Sequence, residues 1–192
     1  MQPENDPASH LHELRNASQA DLKRALFGGH SIAPEALQDT CYRGVSLGLP
    51  SWVESLSWTT FMKTFHQDPG SGLLRGWNVR LNQTGLEGPI EPMLQRDGLP
   101  KTFGHYEVVT ASTTAPRRAP HGLLIDYGRG RNSRLDPIGR LRDPIVALEP
   151  DSADILLGWS YLDLGFNVPT PSYFVLERVG PLDHIAHPPR PL

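Results

Sequence analysis

From Cys41 to Val179 apolar and polar residues alternate in short stretches, broken by Gly, Pro, Asn and Asp. That is the period of a strand with two unlike faces. Eight such stretches are predicted: Cys41 to Leu49, Ser57 to His66, Gly72 to Gln83, Thr102 to Ala111, Gly122 to Tyr127, Leu141 to Leu148, Asp154 to Leu162 and Ser172 to Val179. The third, "GLLRGWNVRLNQ", puts Leu73, Arg75, Trp77, Val79 and Leu81 on one face and Leu74, Gly76, Asn78 and Arg80 on the other. Burying three side chains such as Trp77, Val79 and Leu81 is worth several kcal/mol at ~25 cal/mol per Å², so theirs is expected to be the deeper face. Asn78 and Arg80 then face water. In the alternative, the Trp77 face is an outer wall covered by a helix, and Asn78 and Arg80 line the interior as ligand contacts.

Helical period is confined to the N-terminal region. Ser18, followed three residues later by Asp21, resembles a capping box, and Gly28 and Gly29 can close the turn, so Ser18 to Phe27 is predicted as a helix burying Leu22, Ala25 and Leu26. A further turn is expected at Pro34, and Trp52 to Leu56 reads equally as a helical turn or a strand. Loops between strands are mostly too short for a crossover helix, so neighbours pair antiparallel. The expected fold is mainly β, a lipocalin-like up-and-down barrel of about eight to ten strands with the short N-terminal helix as lid or plug. A sandwich is the competing arrangement. Residues 1–16 read as a flexible arm, 17–180 as a single barrel domain and 181–192, ending "DHIAHPPRPL", as a proline-rich tail.

Composition narrows the function classes. A chain of 192 residues with 38% hydrophobic content suffices for one core. A formal net charge of −3 supplies no basic field for nucleic acid. The N-terminus lacks the pattern of a secretory signal and no apolar run approaches a membrane span, so a cytoplasmic protein is expected, with neither nucleic acid nor membrane as partner. One cysteine, Cys41, excludes an intramolecular disulfide and a cysteine-based zinc cluster.

The fragments "TCYRGVSLGLP", "FMKTF", "LLIDYG", "RLRDPIVAL", "DILLGWSYLDLG" and "SYFVLERV", spanning Thr40 to Val179, together resemble the calycin group of lipocalin-like and fatty-acid-binding-like barrels, in particular small bacterial barrel proteins with a GXWXG motif. The resemblance implies a barrel with an apolar pocket.

No nucleophile elbow, His-Glu-x-x-His or phosphate-binding loop occurs in the chain. Of eight histidines, His10, His12, His184 and His187 lie toward the termini, and only His105, in "KTFGHYEVV", falls mid-strand where a barrel can aim it inward. Asp126 interrupts the apolar "LLIDYG"; pointing inward it suits a general base, with Arg142 or Arg80 as partner, but alternation sets it apart from Leu123, Ile125 and Tyr127. His105 and Asp126 are therefore the catalytic candidates, each with a purely structural alternative. Arg129, Arg131, Arg134, Arg140 and Arg142 crowd one loop and the strand after it, as an anion clamp or a solvated loop. The strand aromatics pack a core or line a pocket. Trp77, Arg80, Tyr106, Arg142, Trp159 and Tyr161 are the expected ligand contacts, with no metal and no cofactor. These residues lead to an expected binder of a small, largely apolar molecule, with or without an anionic group, in a barrel lumen. An isomerase, cyclase or hydratase on the same scaffold, or an interaction module without ligand, are the alternatives.

Overall fold

Eight strands form one closed antiparallel barrel in sequence order: β1 (Thr40–Leu47), β2 (Thr60–Gln67), β3 (Leu74–Arg80), β4 (Thr102–Thr110), β5 (Leu123–Asp126), β6 (Leu141–Ala147), β7 (Ile155–Asp163) and β8 (Asn167–Pro181), with β8 returning to pair with β1. This is the up-and-down arrangement that the short loops dictate. The computed structural model describes residues 7–47, 60–85, 88–111 and 122–191. Expectations for Trp52 to Leu56 and for Trp58 lie outside them.

Strand β8 begins five residues before the predicted start, in "NVPTP". Prolines argue against a central strand because they lack a ladder donor. Here residues 167–172 pair only with β7 among the described residues, and pairing with β1 begins at Tyr173.

Both faces of the wall are buried, for different reasons. Inside, Tyr42, Phe65, Leu74, Tyr106, Ile125, Ile145, Leu156 and Leu176 fill the closed part of the barrel. Outside, helix α2 (Gln19–Gly28) lays Leu22 and Leu26 on Val45, Leu124, Val146, Leu157 and Trp159. The Ser18 hydroxyl caps α2 by accepting from the Asp21 N–H at 3.2 Å. The helix is thus outer cladding rather than a lid or plug, because alternate positions of β5 to β8 present an apolar exterior that water would otherwise meet. Helix α1 (Pro7–Asn16) occupies most of the stretch read as an arm, with Leu14 packed against the same outer cluster.

Trp77 and Val79 belong to the outer face too, but Leu182 and Ala186 cover them. The segment after β8, expected as a proline-rich tail, is a strap: Arg75 donates to the Ala186 carbonyl at 3.0 Å, and the Leu182 N–H donates to the Asp39 carbonyl at 2.8 Å. The preferred reading of β3 is corrected accordingly. Trp77, Val79 and Leu81 are buried, but on the exterior, while Asn78 points inward and is 3% exposed.

Two irregularities shape the lumen. Between Gly76/Tyr106 and Asn78/Phe103 the β3–β4 register shifts, with one extra residue on β4, and Gly104 takes φ +54 there, a conformation natural to glycine. On β1 and β7, either side of β8, Gly44 and Gly158 leave room for the rings of Phe61 and Phe174; a Cβ at Gly158 would fall 2.1 Å from the Phe174 ring. No helix among the described residues is long and apolar enough to cross a membrane.

Candidate functional site

Period two carries a lysine inside. In "FMKTF", Phe61, Lys63 and Phe65 share one face of β2, and Phe65 is in the inner core, so the Lys63 stem follows it inward. Lys63 is 2% exposed. On β6, Asp143 shares its face with Ile145 and Ala147, both of the inner core, and is 3% exposed. β2 and β6 are not neighbours in the sheet, yet Lys63 Nζ lies 3.3 Å from Asp143 Oδ2. The ion pair therefore crosses the lumen.

Every donor of the ammonium is engaged: besides Asp143, Nζ donates to Tyr127 Oη at 2.5 Å and to Asn78 Oδ1 at 3.1 Å. Tyr127 donates onward to Asp143 Oδ2 at 3.2 Å, and Ser160 donates to Asp143 Oδ1 at 2.8 Å. Asn78 is fixed by donating to the Gly104 carbonyl, which the β4 irregularity supplies, at 3.1 Å. Rings of Tyr127, Tyr106, Phe174 and Phe61 stand 5.0, 5.1, 5.2 and 5.6 Å from Nζ, within cation–π range. Burial pushes the Lys63 amine below its ordinary value, and Asp143 pulls the other way. The Tyr127 phenol is raised well above its usual value by burial and then by Asp143.

This cluster floors an open cavity of about 210 Å³ at one end of the barrel. Its walls are Phe61, Phe103, Phe174, Ile138 and Leu141, with the hydroxyl-bearing Ser46, Ser160 and Ser172 between them. Apolar walls with a few fixed polar groups are the usual make-up of a small-molecule site. Lys63 and Asp143 offset each other, so the floor is polar without carrying a full net charge.

Two of the sequence candidates lie on the lumen side. Tyr106 is fully buried, donating to the Thr64 carbonyl at 2.7 Å, and Arg80 stacks at 5.5 Å on Phe103, a wall of the cavity. The others sit on the exterior. Trp77 lies under the strap, and Trp159 and Tyr161 lie in the cluster beneath α2, with Trp159 donating to the Thr170 carbonyl. Arg142 holds Asp126 at 3.1 Å and Asp163 at 3.3 Å. Asp126 also pairs with Arg129 at 3.4 Å and accepts from the Gly128 N–H at 2.8 Å, so it is tied into the wall.

His105 faces outward as well, beside Trp77 at 6.1 Å, in a cleft of about 320 Å³ with Arg75, Glu107, Arg129 and Arg131. Burial, then Arg75 and His187, hold its imidazole down at about 4. Asn132 anchors this stretch of β4 by accepting from the His105 N–H and donating to its carbonyl. His105 and Asp126 are therefore not brought together around the lumen. Among the described residues no group of three or more His, Cys, Asp or Glu is arranged to hold a metal ion.

Sequence reasoning missed Lys63, Asn78, Asp143 and Ser160 as a set. The signal present was a lysine at the centre of an alternating Phe-x-Lys-x-Phe, where the face it shares is the most apolar in its strand. The chain matches no protein-family model, no curated protein and no solved structure.

Proposed function

We propose that this barrel binds a compact, largely apolar small molecule at the open end of its lumen, with the molecule's polar end against the Lys63–Tyr127–Asp143 cluster. The observation that carries this reading is the cavity of about 210 Å³ with aromatic walls and a hydrogen-bonded floor drawn from β2, β3, β6 and β7 and from Tyr127, just past β5. Because Asp143 already offsets Lys63, a neutral head group with a hydrogen-bond acceptor or donor fits the floor better than a carboxylate. An anionic group is better met at the rim, where Arg80 lies against Phe103. The likeness to lipocalin-like barrels belongs to this reading: an eight-stranded closed antiparallel wall leaves room for one small ligand.

An enzymatic alternative is favoured by one observation, a titratable amine, phenol and carboxylate hydrogen-bonded within the cavity. Its acid–base groups are Lys63 and Tyr127 rather than His105 and Asp126. Native mass spectrometry of gently purified protein tests binding. A reproducible adduct above the 21.3 kDa chain, lost when Gly158→Ala displaces Phe174, a wall of the cavity, is expected. An adduct indifferent to that substitution contradicts the site.

A further inference from the structure

Lys63 differs from the other lysines of the chain, Lys23 and Lys101, which are both exposed. It is buried in the lumen, lines the open cavity, and has a phenol and a carboxylate in hydrogen-bonded sequence beside it. Four aromatic rings stand within 5.6 Å of Nζ. A lysine kept only for a structural ion pair has no need of an adjoining cavity, and a pair of well-packed apolar residues is often as stable as a buried ion pair. Resting on the small-molecule reading above, we infer that Lys63 captures a carbonyl compound, a small aromatic aldehyde being the best fit, as a protonated imine.

The groups present balance the chemistry. Asp143 takes one proton from the ammonium, directly or through Tyr127, which frees the Nζ lone pair. Nζ then attacks the carbonyl carbon; the C–N bond forms while the π pair moves to oxygen. Nitrogen gives up a second proton and the alkoxide gains one, leaving a neutral carbinolamine. The proton held on Asp143 passes to the hydroxyl, which departs as water as the nitrogen lone pair makes C=N. Aldehyde and ammonium have become iminium and water, and Asp143 is again a carboxylate.

The product suits the site. The positive charge stays on nitrogen, so the contact to Asp143 and the surrounding ring faces persist. The remaining N–H is directed at one acceptor, and Tyr127 keeps its donation to Asp143. Burial disfavours the charged amine and so raises the share of the nucleophilic form, as desolvated lysines do in apolar pockets. Phe61, Phe103 and Phe174 are flat surfaces suited to an aromatic aldehyde's ring.

The test uses the full chain with benzaldehyde as probe, reduction by sodium borohydride and peptide mapping, beside thermal shifts with benzaldehyde and with benzyl alcohol. The expected result is a secondary-amine adduct on Lys63, roughly tenfold or more above Lys23 and Lys101, since those two amines are exposed and only Lys63 is desolvated beside the cavity. Lys63→Arg, which keeps the charge but offers no amine nucleophile, should abolish the adduct. In the unsubstituted protein, excess benzyl alcohol should suppress it, a readout independent of how the variant folds. A thermal shift with both compounds but no reduced adduct on Lys63, or labelling spread over all amines, overturns the imine while leaving binding intact. No shift and no adduct with either compound overturns the pocket reading and the imine with it.

Discussion

Lys63 on β2 and Asp143 on β6 stand 3.3 Å apart across the barrel axis, on strands that share no ladder. The pair ties opposite walls of the lumen together and sets the floor of the cavity. Removing one partner strands a buried charge. Asp143→Asn is therefore expected to destabilise the fold by roughly 3–5 kcal/mol, and Lys63→Met combined with Asp143→Leu by much less than the two singles together. Urea unfolding of Asp143→Asn, the Lys63→Met and Asp143→Leu singles and their double checks this; additive losses would contradict a coupled pair.

Acid should weaken the protein in two separable windows. The unfolded chain protonates His105 near 6.5, but the folded one holds it neutral until about 4, through burial and then the facing Arg75 and His187. The unfolded state thus binds more protons below 6.5, and stability falls as pH drops from 6.5 toward 4, on the order of 3 kcal/mol in full. Above 6.5 the group contributes no slope. His105→Gln should flatten that window, measured as midpoint denaturant concentration against pH.

The second window belongs to Asp68. Its carboxylate is held down at about 2 by the backbone N–H of Ser71, then by Gly70 and Arg75. With the folded value below the unfolded 3.8, its contribution is present above 3.8 and lost as pH falls toward 2. Asp68→Asn should reduce the acid slope below 4 and, by leaving Arg75 without that carboxylate, hold the His105 imidazole down further.

Gly158 is the narrowest control on the cavity. A methyl there meets the far edge of the Phe174 ring, which can give way only by swinging. Gly158→Ala should lower affinity for a lumen ligand by about tenfold or more while shifting stability by less than about 2 kcal/mol. A calorimetric titration beside a melting curve separates the two effects.

Trp77 supplies the contrasting case. Buried under Leu182 and Ala186 on the exterior, Trp77→Ala should lose roughly 3–5 kcal/mol of stability with ligand affinity unchanged. Ala186→Asp should loosen the strap and shift tryptophan emission to the red. An affinity that falls with either variant would place a ligand outside the lumen.

Strand count and antiparallel closure were legible because each strand carries its own period-two signal and the loops are short. Which face is inner was not. In β3 the exterior holds Trp77 and Val79 and the interior Asn78, since the exterior is itself clad by a remote segment and the interior carries a polar floor. Alternation reports that two faces differ, never which one closes on itself. Asp126 illustrates the same point in reverse: parity correctly set it apart from Leu123, Ile125 and Tyr127, which line the interior. The cluster around Lys63 escaped notice because its members come from separate strands and meet only through the register of the whole barrel. Only the lysine framed by Phe61 and Phe65 left a local trace.

The most direct measurement is an amide and side-chain NMR titration of the full chain with benzyl alcohol. A lumen site predicts saturable shifts at Lys63, Phe103, Ser160 and Phe174, with the outer cleft around His105 and Arg129 still. Shifts confined to that outer cleft, or none at millimolar probe, would contradict a binding site at the open end of the barrel.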